Sequence, residues 1–268
     1  MKRTYLCLVL LLFFAAACQQ EDVLSIEEHA AEGPEEIIIK APDEPMDAEF
    51  VTYGDNFKGY FVAPKKNGSF PGVVMIHEWW GLNQNIKNRA HDLAEEGFLV
   101  LAVDLYDGKV ADISNDARTY ATTVRNDMDT AIAHLKSAVA FLRNHERSLG
   151  NVASLGWCFG GGLSLQLALQ EQMDATVIYY GAVETDPEVL ASIDWPILGI
   201  FGEEDRVIPL DAVHAFASSL EEVGIEHEIH TYPGQGHAFA NPSNAGYDPI
   251  STAHAWMKTV DFLQTHLR

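Results

Sequence analysis

The chain has 268 residues, of which 47% are hydrophobic and 10% are aromatic. This length allows one substantial hydrophobic core, and single α/β domains often reach it. The formal net charge of −22, from 39 acidic and 17 basic residues, repels phosphate backbones, so nucleic acid is not an expected partner.

The N-terminal segment has the layout of an export signal. Lys2 and Arg3 precede an apolar run over residues 5–17, which is too short to span a membrane comfortably. The run ends in three alanines followed by Cys18, which resembles the lipobox of bacterial lipoproteins. We therefore expect residues 1–17 to be a signal peptide and Cys18 to be a lipidated N-terminus, with an ordinary secretory signal as the alternative. The lipid would anchor an exported protein to a bacterial membrane, with the outer membrane, facing the periplasm or the cell surface, as the expected location.

An acidic tether is expected over residues 18–49, ahead of a single domain over 50–268. Between residues 19 and 49 there are 11 acidic residues, one lysine and three prolines. This composition is typical of solvated segments without a packed core. The tether is either a spacer that holds the domain away from the membrane or an ordinary disordered leader.

The remainder of the chain alternates between strand-like and helix-like segments. Residues 50–53 and 59–63 predict a hairpin that turns near Gly54-Asp55-Asn56. Further strands are predicted at 73–76, 98–103, 152–155, 175–179, 197–201 and 227–232. Helices are predicted at 84–96, about 117–145, about 161–171, 210–223 and 250–266. The alternation indicates an α/β fold with a mostly parallel sheet of about seven or eight strands and helices on both faces.

The strongest chemical signal is the sequence Gly-Trp-Cys-Phe-Gly at residues 156–160, between a predicted strand and a predicted helix. It matches the nucleophile elbow G-x-S-x-G with cysteine in place of serine, where the two glycines allow a sharp turn. The positive end of the helix dipole would favour a thiolate at Cys158. The backbone N–H of Phe159 would face an oxyanion. A buried structural cysteine in a glycine-rich turn is the alternative.

An acid and a histidine follow Cys158 in the chain order of the α/β-hydrolase triad. Asp205 follows the predicted strand 197–201, at the sheet edge where α/β active sites lie. His237 follows the last predicted strand in a glycine-rich loop. We expect His237 to act as the base and Asp205 to orient it, with Glu203 and Glu204 as rivals for the acid role.

No metal site is expected. His77-Glu78 begins like the zinc motif H-E-x-x-H, but Gly81 occupies the position of the second histidine. His227 and His230 are three residues apart on a predicted strand, so their side chains project to opposite faces.

From about residue 50 to the C-terminus, the chain resembles the dienelactone hydrolase family, in which G-x-C-x-G replaces the commoner serine elbow. A second family motif appears at residues 77–83, His-Glu-Trp-Trp-Gly-Leu-Asn. The resemblance implies that Glu78 faces Cys158 and helps to activate its thiol when substrate arrives. It also implies that the backbone N–H of Trp79 joins Phe159 in the oxyanion hole.

The resemblance extends to Asp-Leu-Tyr at residues 104–106, with one departure just beyond it. Well-studied members of the family have an arginine two residues after this tyrosine that binds the carboxylate of dienelactone, and here that position is Gly108, followed by Lys109. The resemblance therefore implies hydrolysis of an ester or lactone but does not identify dienelactone as the substrate.

The sequence therefore predicts an α/β-hydrolase that cleaves a small carboxylic ester or lactone through Cys158, His237, Asp205 and Glu78. It needs no cofactor, and it would act as a monomer or small oligomer whose membrane contact is the lipid anchor. Two alternatives remain: a lipid-anchored binding protein of the same fold without turnover, and a thiol redox sensor that uses Cys158.

Overall fold

The computed structural model describes residues 47–268. The expected signal peptide, the lipidation site Cys18 and residues 18–46 of the expected tether lie outside these described residues. Among the residues described, no helix is both long enough and apolar enough to cross a membrane.

Eight strands and seven helices make up the described part of the chain. The strands are β1 Asp47–Tyr53, β2 Phe57–Ala63, β3 Phe70–Ile76, β4 Leu99–Val103, β5 Ser148–Trp157, β6 Ala175–Tyr179, β7 Ile197–Gly202 and β8 His227–Tyr232. The helices are α1 Gln84–Glu95, α2 Ser114–Arg125, α3 Met128–Arg143, α4 Phe159–Ala168, α5 Pro187–Leu190, α6 Leu210–Glu222 and α7 Pro249–Leu267.

The strands form one sheet in the order β1-β2-β4-β3-β5-β6-β7-β8. The β1–β2 and β2–β4 pairs are antiparallel. All the other pairs are parallel: β4–β3, β3–β5, β5–β6, β6–β7 and β7–β8. This arrangement confirms the predicted mostly parallel sheet and the predicted hairpin. β1 starts at Asp47, so residues 47–49 pair with β2 and belong to the sheet rather than to the tether expected to end at residue 49.

The core lies on both faces of the sheet because neighbouring strand residues point to opposite sides. On one face, Val74 packs with residues of α3, α4 and α6 such as Leu135 and Phe216. On the other face, Val73 packs with residues of α1 and α7 such as Leu93.

One predicted helix was wrong in detail, and one short helix was missed. The helix expected over 117–145 is two helices: the first ends at Arg125 with Asn126 as its C-cap, and Asp127 caps the second, its carboxylate accepting a hydrogen bond from the Thr130 N–H at 3.2 Å. The short helix α5 was not predicted. Its four residues begin after Asp186, whose side chain accepts a hydrogen bond from the Glu188 N–H.

The parallel topology places several chemically active side chains at one edge. β3, β5, β6, β7 and β8 run in the same direction, so their carboxyl ends meet there, where α/β folds carry their sites. The residues that follow these strand ends include Glu78, Cys158, Tyr180, Asp205 and His237.

Candidate active site

The turn between β5 and α4 holds Cys158 in an unusual backbone conformation. Its φ of 54° is positive, which non-glycine residues rarely adopt and which marks a strained elbow. A Cβ atom at Gly156 would lie 2.1 Å from the Gly160 carbonyl oxygen, so this turn requires glycine there. The helix expected from residue 161 already starts at Phe159. Cys158 is therefore at the N-cap of α4, on the wall of a cavity.

Cys158, His237 and Asp205 form a continuous chain of side-chain contacts. His237 Nε2 lies 3.1 Å from Cys158 Sγ, and His237 Nδ1 lies 2.7 Å from Asp205 Oδ2. The structure thus brings together the three side chains that the sequence indicated. The histidine is placed between a nucleophile and an orienting carboxylate, as in hydrolase triads.

Asp205 is held by the loop that follows β7. Its Oδ1 atom accepts hydrogen bonds from the N–H groups of Val207 at 2.7 Å and Ile208 at 3.0 Å, while Oδ2 faces His237. Within residues 47–268, neither rival carboxylate contacts the histidine: Glu203 accepts a hydrogen bond from the Thr231 hydroxyl, and Glu204 is exposed. Of the three neighbouring acids, Asp205 occupies the orienting position.

The electrostatics of this pair favour a charged histidine. Burial by itself would lower the pKa of His237, but the hydrogen bonds and negative charge of Asp205 and Cys158 raise it to about 10. Burial by itself would raise the pKa of Asp205, but its hydrogen bonds with His237 and with backbone N–H groups hold this pKa below its ordinary value. The site is therefore built to stabilise an imidazolium between two acidic groups.

Two backbone amides near Cys158 are free to bind an anion. Within residues 47–268, neither the Phe159 N–H nor the Trp79 N–H donates a hydrogen bond. Phe159 opens α4, where the first amides of a helix have no acceptor within the helix. Trp79 lies just beyond the end of β3. Both amides remain candidates for an oxyanion hole.

Glu78 is buried at this edge, and its carboxylate is hydrogen-bonded to side chains other than Cys158. No hydrogen bond joins Glu78 to Cys158 among the residues described. Instead, the Glu78 carboxylate accepts hydrogen bonds from Asn241 Nδ2 and, at 3.4 Å, from the Tyr180 hydroxyl. Burial raises the pKa of Glu78 to about 7, although His237, Tyr180 and Asn241 partly offset this effect.

Sequence reasoning missed Tyr180 and Asn241. The Tyr180 ring is fully buried and packs edge-on against His237, with the ring centroids 5.3 Å apart. Tyr180 directly follows β6 at the active edge, and Asn241 follows His237 by four residues. Position relative to a strand end was an available signal for Tyr180, whereas nothing local links Asn241 to Glu78.

The cavity beside Cys158 has a volume of about 260 Å³. Its wall includes Phe159 but none of Trp79, Trp80 and Trp157, so the tryptophans near the motifs do not line it. The other apolar side chains of the wall include Met128, Leu163, Val183, Val207 and Ile208.

An arginine lines this cavity, but it does not come from the loop of Gly108 and Lys109. Gly108 has no side chain that could reach a substrate; its φ is 85° and its N–H donates a hydrogen bond to Asp104. Lys109 lies against the Tyr120 ring and is not part of the wall. Besides His237, the cavity wall carries Arg125, the last residue of α2, whose guanidinium carbon lies 5.2 Å from the centre of the Phe159 ring.

No candidate metal site is found in the part of the chain that the structure describes. No group of three or more His, Cys, Asp or Glu side chains in residues 47–268 is arranged to hold a metal ion.

Comparisons with known proteins identify the family of this chain. The dienelactone hydrolase family matches residues 57–267. The chain is 36% identical over 227 residues to the protein usf of Aquifex pyrophilus, covering 82% of this chain and 97% of that protein. It is 32% identical over 228 residues to a protein named as a candidate carboxymethylenebutenolidase of Aquifex aeolicus, covering 82% of this chain and 98% of that protein.

A solved structure of a dienelactone hydrolase-like protein has the same fold. A dienelactone hydrolase-like promiscuous phosphotriesterase from metagenomic libraries superposes with a TM-score of 0.76 at 25% identity, covering 84% of this chain and all of that one. The extent of the family match and these two curated relatives together show that the chain belongs to the dienelactone hydrolase family of α/β-hydrolases.

Proposed function

We propose that this chain hydrolyses a small carboxylic ester or lactone with Cys158 as the nucleophile, His237 as the base and Asp205 as the residue that orients the histidine. Family membership supplies the class, a carboxylic ester hydrolase. The observation that carries the proposal is the pair of contacts made by one imidazole, 3.1 Å to Sγ of Cys158 and 2.7 Å to Asp205.

The reaction follows from these positions. The Cys158 thiolate attacks the carbonyl carbon, and the carbonyl oxygen becomes an oxyanion that the N–H groups of Phe159 and Trp79 stabilise. His237 donates its proton to the departing alcohol oxygen, which leaves a thioester on Cys158. His237 then takes a proton from water, and the resulting hydroxide attacks the thioester and releases the acid. The thiolate and the imidazolium are restored.

Sulfur chemistry favours esters over amides in this site. In the tetrahedral intermediate, the group that leaves more easily is expelled. A thiolate leaves more easily than an amine anion, so attack on an amide tends to reverse. An enol lactone or aryl ester has a leaving group good enough to compete. Activated esters and lactones are therefore the expected substrates.

The cavity indicates a compact substrate. Its volume of about 260 Å³ is below the range of roughly 300–1,000 Å³ typical of sites for drug-sized ligands. Most of its wall is apolar, so the acyl portion of the substrate should be small and hydrophobic.

The direct test is turnover of a substrate panel by the wild type and by Cys158→Ala. The panel contains aryl acetates and butyrates, an enol lactone, dienelactone and, because the structural relative is described as a phosphotriesterase, one aryl phosphotriester. We expect wild-type hydrolysis of at least one ester or lactone and a loss of at least about 10³-fold in Cys158→Ala. Undiminished turnover in that variant would rule out the cysteine mechanism.

The same experiment separates the two alternatives. Glu204→Gln is the matched control because this carboxylate is exposed and does not contact His237. A covalent thioester seen by mass spectrometry at low pH supports the hydrolase. Rapid alkylation of Cys158 without turnover of any panel member would instead favour the binding protein or the redox sensor.

We also propose that the protein is exported and anchored by lipid at Cys18. The support is the sequence alone: two basic residues, a short apolar run and three alanines before the cysteine. In cells, Cys18→Ala should move the protein from the membrane fraction to the soluble exported fraction and remove the mass of the lipid from its N-terminal peptide. Membrane association that survives this substitution would contradict the anchor.

A further inference from the structure

His77 is a buried titratable residue that the proposed reaction does not use. It directly precedes Glu78 and Trp79, and its side chain is fully buried. Its Nδ1 atom lies 2.6 Å from the Glu78 carbonyl oxygen, and its Nε2 atom accepts a hydrogen bond from the Leu105 N–H at 3.3 Å.

These two contacts fix the state of the ring. The Leu105 N–H can only donate, so Nε2 must be the unprotonated nitrogen, and the Glu78 carbonyl can only accept, so Nδ1 must carry the proton. The ring is therefore neutral, in agreement with burial, which lowers the pKa of His77 to about 4. A neutral histidine with one donor and one acceptor bridges the ends of β3 and β4.

The bridge belongs to a wider set of bonds that hold the loop after β3. The Glu78 carbonyl also accepts from the Gly81 N–H at 3.2 Å. The Trp79 carbonyl accepts from the Tyr106 hydroxyl at 3.2 Å, and the Trp80 carbonyl accepts from the Ala111 N–H at 2.9 Å. Three successive carbonyls are thus bound by donors, while the Trp79 N–H donates to nothing within residues 47–268.

The His77 ring also packs against Phe159, whose backbone N–H is the other free amide. His77 and Phe159 are stacked with ring centroids 6.3 Å apart, and Tyr106 packs against both, at 4.7 Å from His77 and 6.1 Å from Phe159. His77 and Tyr106 therefore lie between the two residues whose amides are free, and each donates a hydrogen bond to a carbonyl of the loop that carries Trp79.

From these contacts we infer that His77 is a positioning residue for the oxyanion hole: its neutral ring fixes the peptide that presents the Trp79 N–H to the reacting carbonyl. This inference rests on the proposed hydrolase function. Donors to an oxyanion act only when held within about 0.5 Å of their place, and loss of one such donor typically lowers kcat by about 10²–10³-fold. A rigid, uncharged bridge in the loop meets that requirement.

The test compares two reactions of the same thiol. Hydrolysis of an aryl ester passes through an oxyanion, whereas alkylation of Cys158 by iodoacetamide does not. In His77→Leu, which removes both hydrogen bonds, we expect kcat to fall by about 10²-fold, while KM and the alkylation rate change by less than about threefold. His77→Asn keeps a donor near the position of Nδ1 and should recover most of the lost kcat.

Each other result overturns the inference. An unchanged kcat in His77→Leu would show that the bridge does not matter to the oxyanion, and a parallel loss of alkylation would show a general structural role. If His77→Leu does not fold, His77→Gln replaces it: its side-chain oxygen can still accept from the Leu105 N–H, but the donor to the Glu78 carbonyl is lost, so it must lower kcat without slowing alkylation. Absence of any Cys158-dependent hydrolysis in the wild type would refute the proposed function itself, which is a separate outcome.

Discussion

The side chain of Asn241 donates a hydrogen bond to the buried carboxylate of Glu78, so this acid has a hydrogen-bond partner within the protein. Tyr180 donates a second, longer hydrogen bond to the same carboxylate. The family resemblance implied that Glu78 faces Cys158 and helps to activate it when substrate arrives; in this structure, the thiol lies 3.1 Å from His237 Nε2. We therefore expect His237 to activate the thiol, and we expect Glu78 to join the loop after β3 to the loop that carries the histidine.

The raised pKa of Glu78 predicts a pH-dependent stability. Its pKa of about 7 in the folded protein is above the ordinary value of 4.5, so the folded state holds this proton more tightly than the unfolded state. The associated stabilisation is complete below pH 4.5 and is lost as the pH rises to 7 and above. Glu78→Gln removes the titration, so we expect the variant to gain stability relative to wild type between pH 5 and pH 8, by at most about 3 kcal/mol.

Urea unfolding at the two pH values measures this gain. Glu204→Gln is the control because the Glu204 carboxylate is exposed. A difference between Glu78→Gln and wild type that is the same at pH 5 and pH 8 would contradict the assignment of a raised pKa to this carboxyl.

Asp205→Asn should test the orientation of His237 without changing the nucleophile Cys158. The amide oxygen can replace Oδ1 as the acceptor for Val207 and Ile208, which leaves the NH2 group facing His237 Nδ1. That group can only donate, so the histidine is forced into the tautomer that protonates Nε2 next to the thiol. We expect kcat to fall by about 10³–10⁴-fold with little change in thermal stability. Wild-type kcat in this variant would remove Asp205 from the mechanism.

The parts of the fold and site that depend on local sequence were predictable. The strand runs 175–179 and 227–232 match β6 and β8, and Cys158, Asp205 and His237 could each be placed by a motif or by the end of a strand. Those signals lie within a few residues of the feature that they report.

Features set by contacts between distant residues were not predictable. Glu78 and its partner Asn241 are separated by 163 positions, and no local pattern connects them. The helix expected over 117–145 failed for a different reason: its apolar spacing continues across Asp127, but the capping hydrogen bond of that side chain interrupts the helix.

Two glycines of α4 should respond differently to substitution by alanine. A Cβ atom at Gly160 would lie 2.3 Å from the Ile76 carbonyl oxygen, whereas one at Gly162 would meet nothing closer than Ala182 at 3.4 Å. Because backbone atoms of β3 cannot move away without breaking the sheet, we expect Gly160→Ala to cost at least about 3 kcal/mol of unfolding free energy. Gly162→Ala should be neutral or slightly stabilising, as alanine favours a helix. Chemical denaturation of both variants measures the difference. Equal stability of the two would contradict the close contact between Gly160 of α4 and the Ile76 carbonyl of β3.

Arg125 should select substrates that carry a negative charge. It is exposed at the cavity wall and makes no ion pair or hydrogen bond with any of residues 47–268, apart from its stacking on the Phe159 ring. The one carboxylate that shares the wall, Glu184, accepts hydrogen bonds from two backbone N–H groups, at 2.8 Å from Thr185 and 2.9 Å from Asp186.

A charged hydrogen bond to a substrate carboxylate contributes roughly 1.5–3 kcal/mol, so Arg125→Gln should lower kcat/KM for an acidic ester by about 10–100-fold. A neutral ester of the same size should be hydrolysed at nearly the wild-type rate. Lys109→Gln is the matched control, because Lys109 is a nearby cation that does not line the cavity. Equal losses on acidic and neutral esters would show that Arg125 supports the wall through its contact with Phe159 rather than by its charge. A selective loss in Lys109→Gln instead would return anion recognition to the loop that follows Asp104.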